Sequence, residues 1–209
     1  MPAMPATPHA PSRSSTHLLY LHGFRSSPRS AKAQRMARWV GEQRPDLVFL
    51  APQLPPSPAE AIAQVRTLIA DWPRESLAVM GSSLGGFYAT WVQQHTGSRA
   101  VLLNPAVDPA RDLARYIGEH SCWQDPQERF FFRPEFVDEL RALHQALPPG
   151  AIARPDRLLA VIAKGDEVLD WHEMHARYEG SRIKLLEGSD HGLSDFDDYL
   201  SELTEFLQL

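Results

Sequence analysis

The sequence predicts an α/β fold built on a mostly parallel sheet, and two patterns carry that expectation. Short apolar runs of the kind buried on both faces of a sheet alternate with longer stretches whose apolar residues recur every three or four positions. The third of these runs leads straight into Gly81-Ser82-Ser83-Leu84-Gly85, at a junction between a strand and a helix. Helices between sequential strands imply right-handed crossovers and a sheet covered on both sides.

His17-Leu18-Leu19-Tyr20-Leu21 is the first strand, ended at Gly23, and a more polar helix follows over 28–42. Leu47-Val48-Phe49-Leu50-Ala51 is the second strand, closed by the proline-rich loop 52–58. Ala61, Ile62, Val65, Leu68, Ile69 and Trp72 recur at helical spacing, and Ser76-Leu77-Ala78-Val79-Met80 is the third strand. Leu84, Phe87, Tyr88, Trp91, Val92 and His95 form one helical stripe, followed by a fourth strand at Ala100-Val101-Leu102-Leu103. Leu158-Leu159-Ala160-Val161-Ile162-Ala163 and Ile183-Lys184-Leu185-Leu186 are the fifth and sixth, with a helix over 171–178 between them. Phe196, Tyr199, Leu200, Leu203 and Phe206 mark a last amphipathic helix. Between strands four and five, residues 105–155 show no strand pattern but many rings, among them Tyr116, Trp123, Phe130, Phe131, Phe132 and Phe136. That segment is expected to be an insertion folded as a small helical cap.

The chain of 209 residues suits one domain over 17–209 with that insertion, and 43% hydrophobic residues suffice for a core. A net charge of −5 gives no electrostatic case for nucleic acid. The lone Cys122 excludes an intrachain disulfide or a multi-cysteine metal site. No apolar run approaches the ~18 residues of a membrane span. Residues 1–16 are rich in Pro, Ala and Ser without an apolar core, which reads as a disordered tail rather than a secretion signal. The cytoplasm is the expected location.

The pentapeptide fits a nucleophile elbow. A serine there sits on strained backbone with its hydroxyl exposed, and only small residues fit two before and two after it. Ser83 is the expected nucleophile; the rival Ser82 has Met80 and Leu84 where glycines belong. The alternative, a phosphate-cradling turn, lacks both the Walker lysine and the G-x-G-x-x-G spacing. A serine hydroxyl needs a base, and a base needs an orienting acid. Gly165-Asp166-Glu167 follows the fifth strand and Asp190-His191-Gly192 the sixth, in the order serine, acid, histidine. Both lie beyond the carboxyl ends of strands, the edge where open α/β sheets build sites. Asp166 is the expected acid, with Glu167 and Asp170 as close rivals, and His191 is the expected base. His172 and His175 are not spaced as H-E-x-x-H and read as a solvated helix face. The oxyanion hole needs two backbone N–H groups, expected from Leu84 and from Phe24 in the loop after the first strand.

With these residues in view, the chain resembles the YqiA-type small esterases of the α/β-hydrolase superfamily. The resemblance rests on the segments 20–30, 81–89, 103–107, 165–170 and 190–192, from Tyr20-Leu21-His22-Gly23-Phe24 and Leu103-Asn104-Pro105 to Asp190-His191-Gly192. It implies a compact hydrolase fold of six parallel strands in the order 2-1-3-4-5-6. It also implies esterase or thioesterase activity on acyl substrates without a cofactor, and a triad on Ser83, Asp166 and His191; no metal site is expected.

The expected substrate is a small acyl ester or thioester. Phe24, Phe131 and Phe132 are candidate pocket residues, although the insertion's rings also suit simple packing. Arg25, Arg29, Lys32, Arg35 and Arg38 could receive a phosphate-bearing acyl carrier such as coenzyme A, or form a solvated helix face. A lactone, dienelactone or carbon–carbon bond hydrolase on the same scaffold, and a non-catalytic binding protein, remain the alternative functions.

Overall fold

The structure, a computed structural model, describes residues 14–148 and 150–209. Among the described residues eight strands and seven α-helices follow one another, alternating except at two consecutive strands, Gly118–Cys122 and Asp125–Phe132. Six strands form one parallel sheet: β1 (His17–Leu21), β2 (Val48–Leu50), β3 (Leu77–Ser82), β4 (Arg99–Leu103), β7 (Leu158–Ala163) and β8 (Arg182–Leu186). Their order across the sheet is β2-β1-β3-β4-β7-β8, which is 2-1-3-4-5-6 in strand sequence, as expected. The register pairs Leu21 with Gly81 and Ser82 with Leu103, so the carboxyl ends of β1, β3 and β4 come level at one edge.

Alternation along the strands sends side chains into two cores. Leu19, Leu21, Val79, Leu102, Ala160 and Ile162 pack on one face, Leu18, Tyr20, Met80, Val101, Leu159 and Val161 on the other. The first face is covered by α2 (Pro58–Leu68), α3 (Leu84–Thr96), α5 (Pro134–Gln145) and α6 (Trp171–Arg177), the second by α1 (Ala31–Gln43) and α7 (Leu200–Phe206). Helix α1 buries only Ala33, Met36 and Val40, the stripe of a surface helix. Helix α3 is buried at every position from Leu84 to Gln93 and is the central helix of the fold. Gly97 ends it in the left-handed conformation (φ 70°), donating its N–H to Gln93.

The insertion departs from expectation. It contains two helices, α4 (Pro109–Leu113) and α5, but between them lies an antiparallel hairpin, β5 (Gly118–Cys122) and β6 (Asp125–Phe132). The purely helical cap is therefore corrected. Trp123 and Gln124 make the turn with no Gly or Asn to announce it. The consecutive rings Phe130, Phe131 and Phe132 alternate sides, as aromatic residues on a strand do: Phe132 is 1% exposed and Phe131 51%. Helix α5 is fastened to the core by Glu139, whose Oε2 accepts from Ser57 Oγ (2.7 Å) and the Ala59 amide (3.0 Å) at the start of α2.

Ser15 and Thr16 correct the expected tail boundary. Ser15 donates to the carbonyls of Gln208 (2.9 Å) and Leu207 (2.6 Å), and the Thr16 amide to Ser76 (2.9 Å). Residues 1–13 of the expected tail lie outside the described residues. Among the described residues no helix is long and apolar enough to cross a membrane.

Candidate active site

Four loops meet beyond the carboxyl edge of the sheet. They leave β1 (His22 to Ser30), β3 (Ser83), β7 (Lys164 to Asp170) and β8 (Glu187 to Ser194). Ser83 adopts φ 56° and ψ −120° between β3 and α3. A non-glycine residue there carries about 1–3 kcal/mol of backbone strain. The surrounding structure holds it: the Ser83 amide donates to Leu103 (2.9 Å), and its carbonyl accepts from Gly86 (2.8 Å) and Ala106 (3.1 Å). The flanking glycines allow the close approach. A Cβ on Gly81 would lie 2.0 Å from the Gly85 carbonyl oxygen, and one on Gly85 would lie 2.0 Å from that of Leu21.

Ser83, His191 and Asp166 form a continuous hydrogen-bonded chain. Ser83 Oγ lies 3.1 Å from His191 Nε2, and His191 Nδ1 lies 2.7 Å from Asp166 Oδ2. With the carboxylate at Nδ1, the Nδ1–H tautomer leaves Nε2 free to accept the serine proton. The Asp166 side chain is 0% exposed. Its other oxygen accepts from the Val168 and Leu169 amides, both at 2.8 Å, so burial is met by three hydrogen bonds. The rival carboxylates are engaged elsewhere. Glu167 Oε2 accepts from the His191 backbone amide (3.0 Å), and Asp170 caps α6 by accepting from His172 N–H (2.9 Å). That hydrogen bond holds the Asp170 carboxyl below the usual range.

The loop carrying His191 is held by two groups whose role here the sequence did not announce. Asn104, fully buried just past β4 at φ 42°, donates from Nδ2 to the carbonyls of Asp190 (3.0 Å) and His191 (3.2 Å). Its Oδ1 accepts from Ala163 N–H (2.8 Å) at the end of β7, so one amide ties three strand ends together. The signal available was an Asn between a strand end and Pro105. Lys32 of α1 donates to the Gly192 carbonyl, and burial holds its ammonium down to about 8 against the pull of Asp190.

The Leu84 and Phe24 amides are unclaimed by other backbone carbonyls among the described residues. Leu84 is the first residue of α3, whose N-terminal dipole favours negative charge at that point. The loop carrying Phe24 is set by His22, which is buried between two backbone groups. Its Nε2 accepts from the Leu54 amide (3.1 Å), which leaves Nδ1 to donate to the Gly23 carbonyl (3.0 Å). Burial lowers the His22 pKa from its ordinary value. The folded state thus stays neutral where the unfolded chain takes up a proton, and stability falls as pH drops through and below about 6.5. Urea midpoints at pH 7.5 and 5.5 should separate more for the natural chain than for His22→Gln, which keeps an acceptor but cannot titrate. Equal separations would show that His22 does not set this pH dependence.

Ser83 and His191 open into a cleft of about 240 Å³. Phe24, Leu113, Tyr116, Trp123, Val168 and Leu169 supply its apolar wall. Trp123 (65% exposed) and Val168 stand at the surface. Phe131 and Phe132 do not line it, which corrects that expectation. Phe131 turns outward along β6, and Phe132 is buried against Phe24 with ring centroids 5.1 Å apart. The basic segment is not an open patch: Arg29 pairs with Asp125 (3.1 Å), Arg35 with Asp197 (2.5 Å), and Lys32 is turned into the His191 loop. Among the described residues no three His, Cys, Asp or Glu side chains converge as a metal set, and His172 Nδ1 bonds Asp170 (2.8 Å).

Comparison with known proteins agrees with this architecture. The model of a family described as an uncharacterised protein family, UPF0227, matches residues 17–208. UPF0227 proteins of Yersinia pseudotuberculosis and Yersinia pestis are 25% identical over 200 residues, covering 92% of this chain and 99% of theirs. Among solved structures, one described under two metagenome-derived lipolytic enzymes, LipS and LipT, superposes with a TM-score of 0.68 at 19% identity, covering 94% of this chain and 95% of that one. The esterase domain of a Rhodothermus marinus protein gives 0.64 at 17% (95% and 88%). Mouse alpha/beta hydrolase domain-containing protein 10 gives 0.63 at 14% (91% and 92%). These likenesses establish the α/β-hydrolase fold.

Proposed function

The chain belongs to the UPF0227 family, and we propose that it is a serine hydrolase that cleaves carboxylic esters or acyl thioesters through an acyl-enzyme. The observation that carries this reading is the chain of hydrogen bonds from Ser83 Oγ to His191 (3.1 Å) and on to Asp166 (2.7 Å), set beside the unclaimed amides of Leu84 at the start of α3 and of Phe24 in the loop after β1. The esterases and lipolytic enzymes among its structural relatives are consistent with it.

In this mechanism Ser83 Oγ bonds to the acyl carbon as its proton passes to His191 Nε2. The carbonyl π electrons move to oxygen, and the amides of Leu84 and Phe24 donate to the resulting oxyanion. Each such donor is worth roughly 10²–10³ in rate. The tetrahedral adduct collapses, the C–O or C–S bond to the leaving group breaks, and the imidazolium returns its proton to that group. Water then attacks the acyl-enzyme with His191 again as base, and the acid leaves as the proton returns to Ser83. Asp166 holds the Nδ1–H tautomer and stabilises the imidazolium without taking its proton.

The test is hydrolysis of p-nitrophenyl acetate, butyrate and octanoate, and of butyryl thioesters. Saturable turnover of at least one is expected. Asp166→Asn should lower kcat by about 10⁴-fold, because an amide no longer fixes the productive tautomer. A folded protein inert on all of these substrates would overturn the proposal.

A further inference from the structure

The charged lining of the cleft points to one class of substrate, and this inference rests on the hydrolase reading of Ser83. Besides His191, the charged side chains around the cleft are Arg25, Arg115 and Asp112. Asp112 is held by Arg111, outside the lining, whose Nη2 and Nε lie 2.8 and 2.9 Å from its Oδ1 and whose Nη2 and Nη1 also reach Glu173 at 2.6 and 2.8 Å. Arg25 and Arg115 have no carboxylate partner among the described residues. In a chain of net charge −5, two arginines against one aspartate still leave the charge around the cleft positive.

Each guanidinium is also presented in a particular way. Arg25 lies over the Trp123 ring at 3.9 Å from its centroid, with Nε donating to the Ser121 carbonyl (3.0 Å). Arg115 lies over Tyr116 at 5.0 Å. Contact with a ring uses none of a guanidinium's N–H donors, so the Nη groups of both arginines stay available to other acceptors, and a carboxylate matches such a fork. Position adds a constraint. Arg25 directly follows Phe24, the proposed second oxyanion donor, and its backbone is held at φ 58° with its carbonyl accepting from the Trp123 amide (2.8 Å). The charge is thus anchored to the same loop that would hold the reacting carbonyl.

We infer that the cleft selects esters bearing a carboxylate a few bonds from the scissile carbonyl, gripped by Arg25 and Arg115. The two arginines outweigh the one lining carboxylate, Asp112, which is engaged by Arg111, and Trp123, Tyr116 and Leu113 supply contact for the short chain between the two groups.

The experiment compares ethyl butyrate with two anionic esters by pH-stat. Monoethyl succinate carries the carboxylate on the acyl part, and the butyrate ester of glycolate carries it on the alcohol. At least one anionic ester should exceed ethyl butyrate by about tenfold in kcat/KM, as an added charge-assisted hydrogen bond allows. Which one does so assigns the side. The ratio of anionic to neutral ester, taken within each variant, cancels general loss of activity. It should collapse toward unity in Arg25→Gln plus Arg115→Gln, persist in part in Arg25→Lys, and hold in Arg38→Gln on the far surface of α1. A ratio of unity or below in the natural enzyme, or one that survives loss of both arginines, overturns the inference. Calorimetry of monoethyl succinate with the Ser83→Ala protein decides the matter without turnover. Binding that needs the two arginines supports the inference, and no binding overturns it. If no ester is cleaved while that binding persists, the hydrolase reading alone fails.

Discussion

Ser83→Ala protein is expected to lose esterase turnover by about 10⁴-fold or more while keeping its urea midpoint. In the proposed mechanism the hydroxyl is both the nucleophile and the group on which His191 acts, so removing it would disable the chain as a unit. The remaining rate would come from the proposed oxyanion donors and from binding. The midpoint should hold because Ser83 Oγ makes a single hydrogen bond, to His191 at 3.1 Å, and Ala meets the same backbone strain at φ 56°. Ser83→Gly carries the point further. It should be equally inactive yet more stable, by about 1 kcal/mol, since glycine adopts positive φ without the penalty. A Ser83→Gly protein less stable than the natural chain would mean that the elbow is not strained as described.

Gly85→Ala should produce the largest loss of stability. A Cβ at Gly85 would meet the Leu21 carbonyl oxygen at 2.0 Å, its carbon at 2.5 Å and the His22 oxygen at 2.6 Å, all backbone atoms. None can swing aside as a side-chain tip does, so α3 must part from β1 at the base of the loop that carries Phe24. A loss of about 3–5 kcal/mol is expected, a large share of an ordinary domain's stability. Gly41→Ala is the matched control. It lies within α1 with nothing inside 4 Å of the added methyl, and it should gain about 0.5–1 kcal/mol from helix propensity. Similar urea midpoints for the two variants would contradict the packing described at the elbow.

What could be read in the sequence was what local backbone physics writes there. The elbow requires glycine because helix and strand approach within a methyl's radius, and buried parallel strands require unbroken apolar runs. Strand order, by contrast, came from the family resemblance, since apolar runs of similar composition do not say which lies beside which. Choosing among Asp166, Glu167 and Asp170 depends on the turn after β7, where the Val168 and Leu169 amides fasten one oxygen of Asp166 and leave the other toward His191. The hairpin β5–β6 was illegible because its turn, Trp123-Gln124, lacks the usual residues and three adjacent phenylalanines obscure the alternation. The pocket assignments of Phe131 and Phe132 failed for the same reason. Once they lie on a strand, one turns outward and the other is buried beneath Phe24. Trp123, Tyr116 and Val168 reach the cleft from segments far apart in the chain, and no spacing announces such a meeting.

The most direct test of the central proposal is labelling with a fluorophosphonate, followed by intact mass and peptide mapping. An activated serine should take up one adduct per chain at Ser83, and His191→Ala should abolish it while remaining folded. A folded natural protein that stays unlabelled, or that is labelled at another residue, would contradict the proposal that Ser83 is the nucleophile.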